Sequence, residues 1–327
     1  MVETRSIMFI TPLVTLVIPM LNEAQVLHEL LTGLANQTRK PNEIIFIDAG
    51  STDRSIEIVN EWWRVHGWSC LGCRVVTSLG AYPGEARNVG IKESQGQWIA
   101  FIDAGIEPEN NWLEQLLDHS KESSSEGVFG VCQFTADTFF QRVVCSLTNG
   151  YGVVMPVLPA SLIKKEVFNI VGLFPKKFRA AEDLLWLSEY ERHYGDRTVA
   201  WGARVVYRHF PKNLTALANK WRLAEYFCVL SGMRQKQRII FLVILILLSL
   251  SFYYNATLGA ILLFSYLIVR AVLFPIYRSV ERSWWISQLS AIPVAILTAI
   301  VIDISKLVGN IQGMLSVIGL SRSRFKG

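Results

Sequence analysis

Charge is scarce in this sequence. Of its 327 residues, 18% are Asp, Glu, Lys or Arg and 51% are hydrophobic, whereas a soluble domain carries roughly 25% charged residues. The deficit is uneven: charges are interspersed up to about residue 235, and from Ile239 onward long apolar runs follow one another. A soluble part joined to a membrane part is therefore expected. A concentrated basic face is also absent. The net charge is +5 and the basic residues are dispersed, so nucleic acid is not an expected partner. Arg234, Lys236 and Arg238 instead flank the first apolar run, where they suit an anionic membrane surface. Five cysteines, an odd number, argue against a disulfide framework. Cys70 and Cys73 form a CxxC near His66, yet a fourth zinc ligand is missing. The strand-like Val75-Val76-Thr77 follows where a redox motif needs a helix. Leu16–Leu21 contains no glycine, so the GxGxxG turn of a dinucleotide-dependent oxidoreductase is missing. No cleavable signal is expected either, because the N-terminal apolar residues lead straight into Leu13–Ile18, which is needed as a buried strand.

What is present is an alternation of strands and helices. Strands are expected at Leu13–Ile18 (ended by Pro19), Glu43–Ile47, Arg74–Thr77 and Trp98–Ile102. Between and after them, helical spacing covers Glu23–Ala35, a segment with Ile56, Ile58 and Val59 inward, Gly84–Glu93 and Trp112–His119. This pattern indicates a doubly wound α/β sheet, in which ligands sit at the carboxyl ends of the strands. Pro19–Glu23, Asp48–Asp53 and Asp103–Glu107 all fall there. Further on, Val128–Phe134 and Ala160–Ile163 read as strands, Glu182–Tyr194 as a helix opened by an acidic pair, and Asn213–Met233 as an amphipathic helix at a membrane surface or in a core.

Five motifs occur in a fixed order: Ile18-Pro19-Met20-Leu21-Asn22-Glu23, Ile47-Asp48-Ala49-Gly50-Ser51-Thr52-Asp53, Gly84-Glu85-Ala86-Arg87-Asn88-Val89-Gly90, Phe101-Ile102-Asp103-Ala104-Gly105 and Ala181-Glu182-Asp183. The series resembles the family 2 glycosyltransferases over roughly residues 13–210. The resemblance implies a GT-A fold (nucleotide-diphospho-sugar transferase, Rossmann-like), a nucleotide-sugar donor, a divalent metal (Mg or Mn) and inversion at the anomeric carbon. It makes Pro19 and Glu23 a wall for the nucleoside, Asp48 an acceptor for base or ribose, and Arg87 a donor contact or an ion pair. Asp103 becomes the carboxylate for metal and diphosphate, and Asp183 the base that takes the acceptor hydroxyl's proton, with Glu182 its runner-up. Asp53 is expected to begin a helix and serve structure alone. The sequence departs from the family pattern at Gly105, where a second metal carboxylate is usual, and at Ala49, where many relatives have Asp. Glu107 is the candidate to supply the missing ligand.

The chain is thus expected to comprise a cytoplasmic catalytic domain over 1–212, an amphipathic linker over 213–238 and a membrane region over 239–327. The apolar runs Ile239–Tyr254 and Ala256–Tyr277 read as spans, with Arg270 snorkelling or facing protein. A third run, Trp284–Ile302, ends at Asp303. Three crossings would place Arg322, Arg324 and Lys326 outside, against the positive-inside tendency; two would keep them in. The expected activity is transfer of a single sugar from a UDP-sugar to a lipid or lipid-linked acceptor at a bacterial plasma membrane. The alternative is a catalytically silent sugar-nucleotide-binding membrane protein.

Overall fold

The computed structural model describes residues 12–67 and 71–324, the last six of these by backbone only. Cys70 and Lys326, and the side chains of Arg322 and Arg324, lie outside the described residues. The first half of the chain alternates β1 (Val14–Met20), α1 (Leu27–Ala35), β2 (Glu43–Asp48), α2 (Ser55–His66), β3 (Gly72–Thr77), α3 (Pro83–Glu93) and β4 (Trp98–Phe101). After it come β5 (Ile106–Pro108), α4 (Trp112–Ser123), β6 (Gly127–Phe134), α5 (Phe139–Thr148), β7 (Val154–Lys164), α6 (Val167–Val171), α7 (Glu182–Tyr194) and β8 (Thr198–Tyr207). One sheet of order β3-β2-β1-β4-β7-β6-β8-β5 results. The pairs among β1 to β4 are parallel. β7 runs antiparallel to β4 and β6, β8 parallel to β6, and β5 antiparallel to β8. Apolar side chains fill both faces, with α1, α2, α4 and α5 over one and α3, α6 and α7 over the other, as a doubly wound sheet requires.

Two boundaries differ from the sequence reading for identifiable reasons. Pro19 does not end β1, which runs on to Met20. The Val17 carbonyl accepts from Ile102 on the β4 side, so Pro19, two residues on, turns its missing N–H to that same side. Pairing with β4 stops at Val17, and no ladder bond is lost there. Helix α1 starts at Leu27 rather than Glu23. Asn22 is left-handed, with φ 56°, and the Glu23 carbonyl closes a turn to Val26 and Leu27.

The remaining helices are α8 (Leu214–Leu230), α9 (Gln235–Tyr254), α10 (Ala256–Ile268), a π-turn at Val269–Leu273, α11 (Phe274–Arg278), α12 (Ser283–Ser287) and α13 (Ala291–Arg324). Three helical stretches are long and apolar enough to cross a membrane: Gln235–Tyr254, Ala256–Arg278 and Ala291–Ile318. The third corrects the run expected at Trp284–Ile302. The chain breaks after Ser287, and the apolar helix begins at Ala291 and continues well past Asp303. Asp303 is tolerated inside it because Tyr266 donates to one oxygen at 2.7 Å and Arg270 to the other at 3.5 Å; a paired intramembrane charge costs far less than a lone one. Arg270 thus faces protein. The buried stripe Ala291, Ala295, Ala299 and Ile302 joins the core that contains α5. Helix α8 lies against α13, where Gly309 and Gly313 leave no room for a Cβ beside Arg222, Tyr226 and Val229. The membrane helices and the α/β domain therefore pack as one body.

Candidate active site

The tips of β1, β2 and β4 carry the expected residues, and their loops are tied together. Ser51 and Thr52, after β2, reach Asn22 after β1: Asn22 N–H donates to Ser51 Oγ at 2.9 Å, and Thr52 N–H to Asn22 Oδ1 at 2.8 Å. Asp53 accepts from Ser55, at the start of α2, and from the Ala24 N–H. Asp48 is buried and accepts from the Gly50 and Ser51 N–H groups of its own turn. Gly50 supplies the positive φ of 104° that aims those donors back at the carboxylate.

Glu23 lies beside Asp103 and His209. Burial pushes its carboxyl pKa up, and Asp103 adds to the rise. A raised carboxyl contributes stability below its unfolded value, here the ordinary 4.5, and that contribution disappears as pH rises through the folded value. Glu23→Gln is therefore expected to raise the melting temperature at pH 7 and leave it unchanged near pH 4, while weakening nucleotide binding. Thermal unfolding at the two pH values checks this, and an unchanged melting point at pH 7 would refute it.

The centre of the site is Arg87, on the first turns of α3. Its guanidinium is buried, with a side chain 4% exposed, and donates from Nη2 to Asp103 at 2.8 Å and from Nη1 to Glu182 at 2.9 Å. Burial alone would lower its pKa, but the two carboxylates outweigh that and hold it charged. Arg87 thus makes a buried, forked ion pair. It fastens the end of β4 to the start of α7. Gly84 makes the approach possible, because a Cβ there would meet the Pro175 carbonyl at 2.7 Å and the Glu182 side chain at 3.0 Å. Ala181, in the left-handed region at φ 69°, turns the chain into α7 just before the acidic pair, the kind of strain that collects at functional sites. Glu182 is committed to Arg87. Asp183 uses Oδ1 for the Leu184 N–H at 2.8 Å and leaves Oδ2 without a partner among the described residues.

Asp103 gives Oδ1 to Arg87, and its Oδ2 has no protein partner among the described residues; its side chain is 41% exposed. One such carboxylate fits a hard divalent ion whose other ligands are phosphate oxygens and waters. Glu107, the expected second ligand, sits on β5 and is held by Arg208 at 2.6 Å, and no group of three His, Cys, Asp or Glu side chains that could hold a metal occurs among the described residues. Sequence reasoning missed the tie between His209 and Glu29 at 2.5 Å, the Arg208–Glu107 pair and the bond from Glu182 to Arg87. Cys132, Cys145 and Cys228 are free thiols; burial pushes Cys132 and Cys145 up to about 12, which makes them unreactive.

The chain is similar to several known proteins. The poly(ribitol-phosphate) beta-glucosyltransferase of Bacillus spizizenii is 29% identical over 179 residues, which is 52% of this chain and 28% of that protein. Glycosyltransferase AglE of Haloferax volcanii is 26% identical over 188 residues, 54% and 60% of the two chains. The cholesterol galactosyltransferase of Borreliella burgdorferi is 30% identical over 113 residues, 35% and 30%. The chain spans less than two thirds of the length of each of these relatives. Among solved structures, S. aureus TarS 1–349 covers 92% of this chain and 90% of its own at 17% identity, with a TM-score of 0.47. The model of glycosyl transferase family 2 matches residues 15–182, more than half of the sequence. The mixed sheet, parallel from β3 to β4 and largely antiparallel beyond, is the GT-A arrangement that the motif resemblance implied. With that match running from the first strand to the glutamate that meets Arg87, the chain belongs to glycosyl transferase family 2.

Proposed function

We propose that this protein transfers a single sugar, with inversion, from a UDP-sugar to a hydroxyl on a lipid or lipid-linked acceptor at a bacterial plasma membrane. The observation that carries this reading is the buried Arg87 fork, which draws the exposed carboxylate of Asp103 and the acidic start of α7 to one cleft. Pro19, Glu23 and Asp48 form the nucleoside wall. Asp103 faces the diphosphate, and a divalent Mg or Mn ion bound there supplies positive charge for the departing phosphate. Asp183 takes the acceptor proton as the acceptor oxygen bonds to the anomeric carbon. The bond from that carbon to the diphosphate breaks on the opposite face, its electrons leave with the nucleotide, and the configuration inverts. Glu182 is not the base, because Arg87 holds its carboxylate. The apolar stretches Gln235–Tyr254, Ala256–Arg278 and Ala291–Ile318 support three crossings, with the α/β domain on the cytoplasmic face.

The missing second carboxylate at Gly105 favours one competing reading, a silent binder of sugar nucleotides. Full-length protein in nanodiscs, offered a panel of nucleotide sugars with Mn²⁺ or EDTA, separates the two. UDP-sugars are expected to raise the melting temperature and release UDP, with EDTA slowing release at least about tenfold. Stabilisation without any turnover supports the silent binder, and no response to any nucleotide sugar overturns both.

A further inference from the structure

Helix α8 does more than link the domain to the membrane, because its end forms part of the rim of the cleft. The Phe227 ring meets Tyr82, at the N-terminus of α3, at 6.1 Å, and Phe178, in the loop before α7, at 6.4 Å. The neighbouring Cys228, whose raised pKa is due first to burial, lies within electrostatic reach of Asp183, Arg234 and Arg238 together. Arg238 donates to the Cys228 carbonyl. Three separate pieces of sequence therefore converge on the Asp183 side: the loop with Lys176, Lys177 and Arg179, the end of α8, and the turn with Arg234 and Lys236.

The five cations just named are exposed, and none has an acidic partner among the described residues. Asp183, within electrostatic reach of Cys228, is not held by a basic side chain among the described residues. Basic residues beside a membrane helix are ordinary on their own. The loop cations are not part of that flank, however; they belong to the segment between α6 and α7, and the Phe178–Phe227 contact holds them there. Arg234 and Lys236 stand at the first turn of the apolar α9, so the cluster lies at the level where lipid headgroups begin.

We propose that this rim binds the phosphate-bearing head of an anionic lipid and that this lipid is the acceptor. The inference rests on the transferase reading and narrows its acceptor class. The cations select phosphate. Asp183, as a base, needs an acceptor that still carries a proton, so the reacting oxygen is a hydroxyl beyond the phosphate and not a phosphate oxygen. A glycerophospholipid head and a glycan joined to its lipid through phosphate share this chemistry.

The test uses full-length protein in neutral detergent, titrated calorimetrically with short-chain phosphatidylglycerol, phosphatidylcholine or diacylglycerol, and separately with UDP. Phosphatidylglycerol is expected to bind at least tenfold more tightly than the other two. The preference should collapse in Lys176→Ala/Lys177→Ala/Arg179→Ala while UDP affinity stays unchanged. If that variant misfolds, Arg234→Gln/Lys236→Gln gives the same readout from the other side of the rim. Transfer assays with phosphatidylglycerol and with a phosphate-linked lipid glycan then distinguish the two sources. Equal affinity for charged and uncharged lipids, or a preference that survives both variants, overturns the proposal. Failure of the wild type to bind UDP while the lipid preference persists would instead refute the transferase reading.

Discussion

Asp183→Asn is expected to lower sugar transfer by about 10²–10⁴-fold, the range for loss of a general base, and to leave UDP affinity and melting temperature close to the wild type. An acceptor hydroxyl is a weak nucleophile until its proton has somewhere to go. Asp183 Oδ2 has no other partner among the described residues, whereas Oδ1 is tied to the first turn of α7. Asparagine keeps the shape and an oxygen for the Leu184 N–H but cannot accept the proton. Glu182→Gln is the paired control. It should alter stability through Arg87 more than it alters the chemical step. Transfer rates and UDP titrations on the purified variants read the outcome, and wild-type rates in Asp183→Asn would remove this residue from the mechanism.

Arg87→Met is expected to be the most damaging single change to the fold. Removing one member of a buried ion pair leaves its partners charged and uncompensated, at about 3–5 kcal/mol. For a domain of this size that is a fall of roughly 10 °C in melting temperature. Glu182 is the carboxylate stranded here, since Asp103 keeps its solvent access; Glu182 is buried, its carboxyl already pushed up by desolvation. Adding Glu182→Gln should recover part of the lost stability, because the two sites are directly coupled. It should not recover activity, because Asp103 would still lack its anchor. Thermal unfolding of the single and double variants in detergent, beside their transfer rates, measures both effects. A single variant that melts within a degree or two of the wild type would show that the fork is dispensable.

The parallel half of the sheet was legible because its strands are short apolar runs, with β2 and β4 closed by aspartate-bearing turns, and the helices between repeat at 3.6 residues. The Asp183-bearing helix was found with its bounds intact, Glu182–Tyr194. The other half was legible in part: β6 and the end of β7 stand where Val128–Phe134 and Ala160–Ile163 were expected, whereas β5 and β8 were not foreseen. β5 is three residues long and carries a proline, and its partner β8 lies far along the chain, so nothing local announces the pair. Helix α5 hides its buried face behind polar residues: Gln141 is buried because it donates to the Phe210 carbonyl. The third span was misplaced for a similar reason. Asp303 looks like the end of an apolar run, but Tyr266 and Arg270 pair with it, and the helix continues, with Asn310 donating to Glu225 and Gln312 accepting from Arg222 further on. In the site, residue types gave the positions but not the partnerships. Glu107 was equally suited to a metal or to the start of a helix; it lies on β5 instead, and the β5–β8 register brings it to Arg208.

The glycine contacts between α8 and α13 have a further consequence. Because Gly309 and Gly313 let the two backbones touch, and α8 also bears the aromatic rim at Phe227, the opening is held at a set distance from α13, a helix apolar enough to cross a bilayer. For the lipid acceptor proposed above, the search would then cover a plane rather than a volume, and the enzyme would act as a gauge. Heads whose hydroxyl protrudes by the right amount should react, while shorter or longer ones slide past, whatever tail lies beneath.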